Sequence, residues 1–274
     1  MESRLLTPEK LFLEFALYDS ITLEANTCEH IYKSLFTSNS LDVSCPDCAT
    51  KSIFRAIDNR PRYEHAFGFE EYNPKDWFAS LHGNELIKKD FTCSRNDDHK
   101  ISFLFVYKNG SLIKVGQYPA VATLAEYEIK SFRKILGGAS YGDFNRAIGL
   151  NSHGIGAGAI VYLRRVFENF VIKRAVEEAR KTPSWDQEQY ERSRMREKID
   201  LLKSHLPEFI TQNKELYSVL SVGIHELSEE ECLKIFPVLR SCIVYILTEI
   251  KNKHEEEQRK SEMIQALKNI HKSY

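Results

Sequence analysis

The chain has 274 residues, of which 42% are hydrophobic and 28% charged, an ordinary globular composition that excludes a disordered chain. Its 38 lysines and arginines stand against 39 acidic residues, a net charge of −1, which excludes a broadly basic nucleic-acid coat and leaves only a local basic patch. The N-terminal apolar run contains charges and no small-residue cleavage site, and no uncharged run approaches the ~18 residues of a membrane span, so a cytoplasmic protein with no membrane segment is expected. In that compartment six cysteines read as thiols or metal ligands rather than disulfides.

In chain order, Thr7 and Pro8 read as an N-cap and a first helical residue, and Leu11, Phe12, Phe15 and Ala16 give a short amphipathic helix. From Cys28 to Phe103 the pattern breaks into short apolar pieces separated by Ser, Asn, Asp, Pro and Gly. One helix is expected there, from Asn73-Pro74 to near Gly83.

Within this region Cys45-Pro-Asp-Cys48 is a knuckle with two intervening residues, and Cys93 and His99 form a second pair 44 residues further on. A tetrahedral ion takes thiolates and imidazoles, and a Cys-x2-Cys turn sets two sulfurs on one ion with little strain. The second pair runs into Lys100–Val106 and Ser111–Val115, joined through Lys108-Asn109-Gly110, a hairpin signal. Knuckle, spacer, ligand pair and hairpin resemble a zinc ribbon. The expected metal is a structural Zn2+ held by Cys45, Cys48, Cys93 and His99, with Cys28 and His30 as lower-ranked substitutes for one ligand.

After Gly116-Gln-Tyr-Pro119 the chain turns helical. Val121, Leu124, Tyr127, Ile129, Phe132, Ile135 and Leu136 make one helix ending at Gly137-Gly138, and Asp143 caps a short segment from Phe144 to Ile148. Gly149, Gly154, Gly156 and Gly158 then open a long helix to Lys181, with an apolar stripe of Ile160, Leu163, Phe167, Val171 and Ala175. The glycine turn, with His153 as its one titratable group, lacks the Gly-Lys-Ser/Thr of a P-loop and follows no strand. Close helix packing, or a tight backbone approach to a partner, is therefore preferred to nucleotide binding. Arg164, Arg165 and Glu168 lie one turn apart beside the stripe, so an ion pair is available to either arginine.

Ser184 with Gln187 is a capping box opening a charged helix from Trp185 to Lys203, Pro207 opens another segment, and Glu215–Ile224 carries a further apolar helix. His225 falls at a break next to Gly223, a position suited equally to a general base and to a helix-end hydrogen bond. Ser228 with Glu231 caps the last helix, apolar through Leu233, Phe236, Leu239, Ile243, Ile246, Leu247 and Ile250, with Pro237 expected to kink it. Lys251–Glu262 reads as a solvated extension. The fold class is thus α+β: a zinc-ribbon-like α+β domain over residues 1–117 and an all-α bundle over 118–274.

The run AIVYLRRVFENF followed by SVGIHELSEEE resembles the HEPN-like superfamily in its DUF4145-type branch. With CPDC and the Cys/His pair in front, the chain is similar to zinc-finger HEPN antiphage ribonucleases of the ring-activated zinc-finger RNase kind. The resemblance implies a HEPN-like bundle that forms a homo-oligomer and cleaves an RNA substrate without a metal, under a phage protein trigger. Carried over, His225 takes the histidine position. Ser218, Val219 and Leu220 stand where the family has an arginine, so the cation falls to Arg164 or Arg165, with Glu168 orienting it. Arg146 and His153 also meet the family spacing, ahead of the long helix. The alternative is a non-catalytic zinc-finger module that binds a protein or nucleic acid.

Overall fold

The computed structural model describes residues 7–65, 68–222 and 226–273. It is a mixed α and β structure with an antiparallel sheet in its first part and helices in the remainder. Two compact units are present: Met1–Glu128 with Ile148–Ile155, and Ile129–Ala147 with Gly156–Tyr274. The boundary expected at 117/118 falls within the first range. No helix among the described residues is long and apolar enough to cross a membrane.

The first unit is built on six strands in the order β1-β8-β7-β6-β3-β2, all antiparallel: β1 (Ser20–Thr22), β2 (Asn39–Cys45), β3 (Thr50–Ala56), β6 (Glu85–Cys93), β7 (Asn96–Lys108) and β8 (Ser111–Tyr118). A separate hairpin pairs β4 (Arg62–His65) with β5 (Gly68–Glu71). Asn109 and Gly110, at φ 49° and 75°, make the two-residue turn between β7 and β8 that their sequence favours. Alternation along β7 buries Ile101, Phe103 and Phe105, and the sheet stacks these rings against Phe12 and Phe91, with Phe12 4.9 Å from Phe103 and 5.0 Å from Phe91. Phe12 comes from the N-terminal helical turn, where the Thr7 hydroxyl accepts from the Lys10 amide as an N-cap.

Helix α1 (Ala25–Phe36) was not expected; it buries Ile31, Tyr32, Leu35 and Phe36 in the same core. Helix α2 (Pro74–Ser80) starts as its sequence predicts, with the Asn73 side chain accepting from the Asp76 amide. Two lysines are buried beneath these elements. Lys114 donates to the carbonyls of Phe12 (2.6 Å) and Phe15 (2.9 Å), satisfying the end of the N-terminal turn. Lys89 donates to the carbonyls of Thr37 and Ile57 and to the Asn59 side chain. Burial pushes both ammonium groups down to about 8.

Helices continue through α3 (Val121–Lys130) and α4 (Arg133–Ser152). The helix expected to stop at Gly137-Gly138 is already interrupted near residue 131, and it does stop at Gly137, whose φ of 69° and ψ of 173° separate it from a second helix that completes α4. Gly149 lies in the last turns of α4, and the long helix begins at Gly156 after Gly154 (φ 73°). It comprises α5 (Gly156–Val166), a π-helical segment (Phe167–Ile172) and α6 (Lys173–Ala179). The expected Trp185–Lys203 helix is two, α7 (Gln187–Arg192) and α8 (Met195–Leu201), because Asp186 rather than Ser184 supplies the cap and the chain extends at Ser193. Short α9 (Glu208–Gln212) and α10 (Glu215–Val222) precede α11 (Glu229–Ser273). The Ser228/Glu231 capping box is formed, and α11 passes Pro237 as one uninterrupted helix. The core of this unit is Ile160 and Leu163 of α5 and Phe167 of the π segment, together with Ile243, Ile246 and Leu247 of α11, all fully buried.

Candidate metal centre and helical cluster

Two hairpin turns carry the four candidate ligands. Strand β2 ends on Cys45, paired to Thr50, and the intervening turn holds Cys48 and closes through Ala49 at φ 51°, a left-handed conformation that an alanine rarely adopts. The Cys48 amide donates to the Cys45 sulfur at 3.4 Å. Strand β6 ends on Cys93, and a two-residue turn leads into β7, with the Arg95 amide donating to the Cys93 sulfur at 3.5 Å. Pairing then jumps from Cys93↔Asn96 to Thr92↔Lys100, so Asp97, Asp98 and His99 bulge out of the ladder and His99 reaches the sulfurs. The pairs Phe54↔Cys93 and Arg55↔Thr92, with the Ser94 amide donating to Ile53 (2.9 Å), set the two turns side by side.

The four donor atoms lie within 4.8 Å of one another. Cys48 Sγ is 3.9 Å from Cys93 Sγ, and His99 Nδ1 is 3.2 Å from Cys48 Sγ and 3.5 Å from Cys45 Sγ. A tetrahedron with metal–sulfur bonds of about 2.3 Å and a metal–nitrogen bond of about 2.0 Å requires S···S near 3.8 Å and S···N near 3.5 Å. The quartet therefore fits a divalent ion of that size and is consistent with a zinc site. Cys45 and Cys93 are fully buried and Cys48 and His99 half-buried. Four protein ligands would fill the coordination of a tetrahedral ion and leave no position for a substrate.

The surroundings already favour a thiolate at one position. Burial pushes the Cys93 thiol up, but hydrogen bonds from the Ser52 hydroxyl (3.1 Å), the Arg95 and Asn96 amides and Cys45 outweigh it and bring it down to about 6. Burial, then the bonds to Cys45 and Cys93, push Cys48 up to about 11. A cation among these sulfurs removes that competition. Ser52 was not singled out from sequence, since its role depends on β3 lying beside β6. Cys28 is not a ligand: its sulfur donates to the Pro74 carbonyl at 3.6 Å, and His30 is exposed on α1.

In the helical unit, Arg164 Nε donates to Glu168 Oε1 at 2.8 Å, Arg164 Nη2 donates to the Tyr217 hydroxyl at 3.2 Å, and that hydroxyl donates to Glu168 Oε1 at 3.0 Å. The guanidinium also stacks 5.6 Å from the Tyr217 ring centroid. Glu168 belongs to the π segment, a departure from α-helix that recurs at functional sites. The bond to Glu168 raises Arg164 above its ordinary value, and burial followed by the Glu168 bond raises Tyr217. Arg165 is exposed and lies 5.1 Å over the Tyr162 ring, so of the two arginines the structure pairs only Arg164 with Glu168. Tyr217 had no signal in the sequence because its contact joins α10 to α5. His153 is exposed on the turn after α4, in the sheet unit, whereas these arginines belong to the helical unit. His225 lies outside the described residues.

The glycine turn is closed by the protein itself. A Cβ on Gly156 would sit 2.8 Å from Cys232 Cβ, the Glu229 carbonyl and the Leu233 amide, so α5 packs backbone to backbone on the first turn of α11. Glu229 Oε2 accepts from the amides of Gly156 (2.5 Å) and Ala157 (3.1 Å), occupying the anion position at the start of α5. Close packing is thus the purpose of Gly156. In comparisons with known proteins, no family model, no curated protein and no solved structure matches the chain.

Proposed function

We propose that this chain is a zinc-stapled, HEPN-like endoribonuclease of antiviral defence, acting in the cytoplasm, whose ribbon-like front unit meets a protein trigger. The single observation that carries the catalytic part is the half-buried Arg164–Glu168–Tyr217 cluster around the π segment. Helix α10, which supplies Tyr217, ends at Val222, three residues before His225 in the chain. In this reading the His225 imidazole takes the proton of a ribose 2′-hydroxyl, and that oxygen attacks the neighbouring phosphorus. The bond to the 5′ oxygen then breaks, that oxygen takes a proton from water while the imidazolium gives its own back to solvent, and a 2′,3′-cyclic phosphate and a 5′-hydroxyl end remain. Arg164, oriented through Nε by Glu168, keeps further N–H groups to stabilise the negative charge of the phosphorane. The ion held by Cys45, Cys48, Cys93 and His99 is zinc, and it supplies fold stability and no step of the reaction.

The test uses purified protein with RNA, with and without a candidate trigger, and reads new 5′-hydroxyl ends. His225→Ala and Arg164→Ala should each lower the cleavage rate at least a hundredfold while zinc content and assembly mass stay unchanged. Full activity in both variants overturns the reading.

A second reading has its own support, because Glu168 and Tyr217 hold the guanidinium as a brace between α5 and α10 would. On that reading the chain is a zinc-finger module that binds a protein or nucleic acid without cleaving it. Retained binding with no new RNA ends in the wild type selects it.

A further inference from the structure

Helix α11 has 45 residues, about 68 Å, and from Glu256 to Ile270 every position is exposed. A helix that packs on nothing is marginal in water unless a partner covers its apolar side. Here that side exists: Met263, Ile264, Leu267 and Ile270 are between 53% and 65% exposed. Nearer its start, α11 forms one wall of an apolar groove of about 360 Å3, lined by Ile235, Val238, Leu239 and Cys242 together with Leu216 and Val219 of α10. Val238 in this groove is 64% exposed.

The stripe and the groove match in spacing and in phase. At 3.6 residues per turn, Met263, Leu267 and Ile270 fall within about 40° of Val238 around the helix, so both patches lie on one side of α11. Run in opposite directions, Ile270, Leu267 and Met263 step by three and four residues as Ile235, Val238 and Cys242 do. The two patches are centred about 28 residues apart, roughly 42 Å along an uninterrupted helix, so the stripe does not reach the groove of its own chain.

We infer that the occupant of the groove is the Met263–Ile270 stripe of a second copy of this chain, the two α11 helices pairing antiparallel about a two-fold axis between Asn252 and Lys253. The pairing is reciprocal, so one dimer fills two grooves: Ile235 meets Ile270, Val238 meets Leu267, and Cys242 meets Met263, each twice. Between the apolar patches Tyr245, 55% exposed with its ring 5.0 Å from that of Phe209 in its own chain, meets Lys260 of the other copy. Glu249, opposite Glu256 in this register, has its carboxylate buried in its own unit, and Glu256 of the other copy has Lys253 and Lys260 one turn to either side. A parallel pairing would instead set Glu256 on Glu256 and Lys260 on Lys260, and would leave both grooves empty. This assembly is independent of whether the helical unit cleaves RNA.

The test uses the full zinc-loaded chain. Light scattering during gel filtration should give the mass of two chains, and Leu267→Glu or Val238→Lys alone should reduce it to one. Both substitutions in one chain should restore the dimer, because each lysine then meets a glutamate across the axis. Circular dichroism and zinc content check that each variant is folded. In Met263→Cys, mild oxidation by copper phenanthroline removes two electrons and two protons from a pair of thiols and should link position 263 to Cys242 of the other copy, a link lost with Cys242→Ser. A one-chain mass for the wild type, single variants that stay dimeric, a double variant that stays monomeric, or a 263-to-263 link overturns the inference.

Discussion

The contact most sensitive to a single methyl group is Gly156 against α11. In Gly156→Ala the new Cβ would meet Cys232 Cβ, the Glu229 carbonyl and the Leu233 amide, all at 2.8 Å. Two of the three are backbone atoms and cannot swing aside, so α5 must retreat by roughly 0.7 Å to reach ordinary contact. Overpacking of this kind costs about 1–3 kcal/mol, and the retreat also lengthens the two bonds from Gly156 and Ala157 to Glu229. Alanine returns up to about 1 kcal/mol of helix propensity, less in a first turn. The net expectation is a destabilisation of about 2 kcal/mol. Gly138, in α4 with nothing within 4 Å of its Cβ position, is the control: Gly138→Ala should stabilise by about 0.5 kcal/mol. Urea unfolding followed by far-ultraviolet circular dichroism gives both values. A Gly156→Ala protein as stable as the wild type would falsify the packing argument.

Two further outcomes are expected. Cys45→Ser should abolish stoichiometric zinc and lower the melting temperature of the sheet unit, while Cys28→Ser should leave metal content unchanged, both read by elemental analysis of the purified chain. Lys114 gives a pH dependence, because burial lowers its pKa in the folded state to about 8 whereas the unfolded value is about 10.4. The unfolded state therefore binds more protons between these values, so the burial penalty is full below pH 8 and fades as pH rises. Unfolding free energies of the wild type relative to Lys114→Met should rise by about 2 kcal/mol from pH 8 to pH 10. A flat or falling difference rejects the assignment.

The metal quartet was legible because its chemistry is local: a thiolate pair two residues apart needs only one turn, and a second pair beside a hairpin signal completes four ligands. The order of the sheet was not, because β1 finds β8 through Ser20↔Ile113, a pairing no short window contains. Helix α1 carries Cys28, Ile31, Tyr32, Leu35 and Phe36 at helical spacing, yet Asn26, Thr27 and Ser34 are poor helix formers and read as loop; burial of the stripe decided the matter. The caps at Thr7, Asn73 and Ser228 were visible since each acts within three residues. Tyr217 and Glu229 were not, because each acts on a backbone or side chain more than 45 residues away. At Pro237, where a kink was expected, α11 runs on without a break, with the Ser241 hydroxyl donating to the Pro237 carbonyl.

The two hairpin turns also tie a knot of sorts in chain length. An ion shared by Cys48 and Cys93 cinches residues 49–92 into a ring, and by the loop-entropy argument used for crosslinks such a closure limits the unfolded chain by about 4 kcal/mol. Lengthening a ring already shut is cheap, only about 0.6 kcal/mol per doubling. Added length between residues 49 and 92 is therefore expected to cost little through ring closure, wherever in that span it falls, while the metal ligands stay in register.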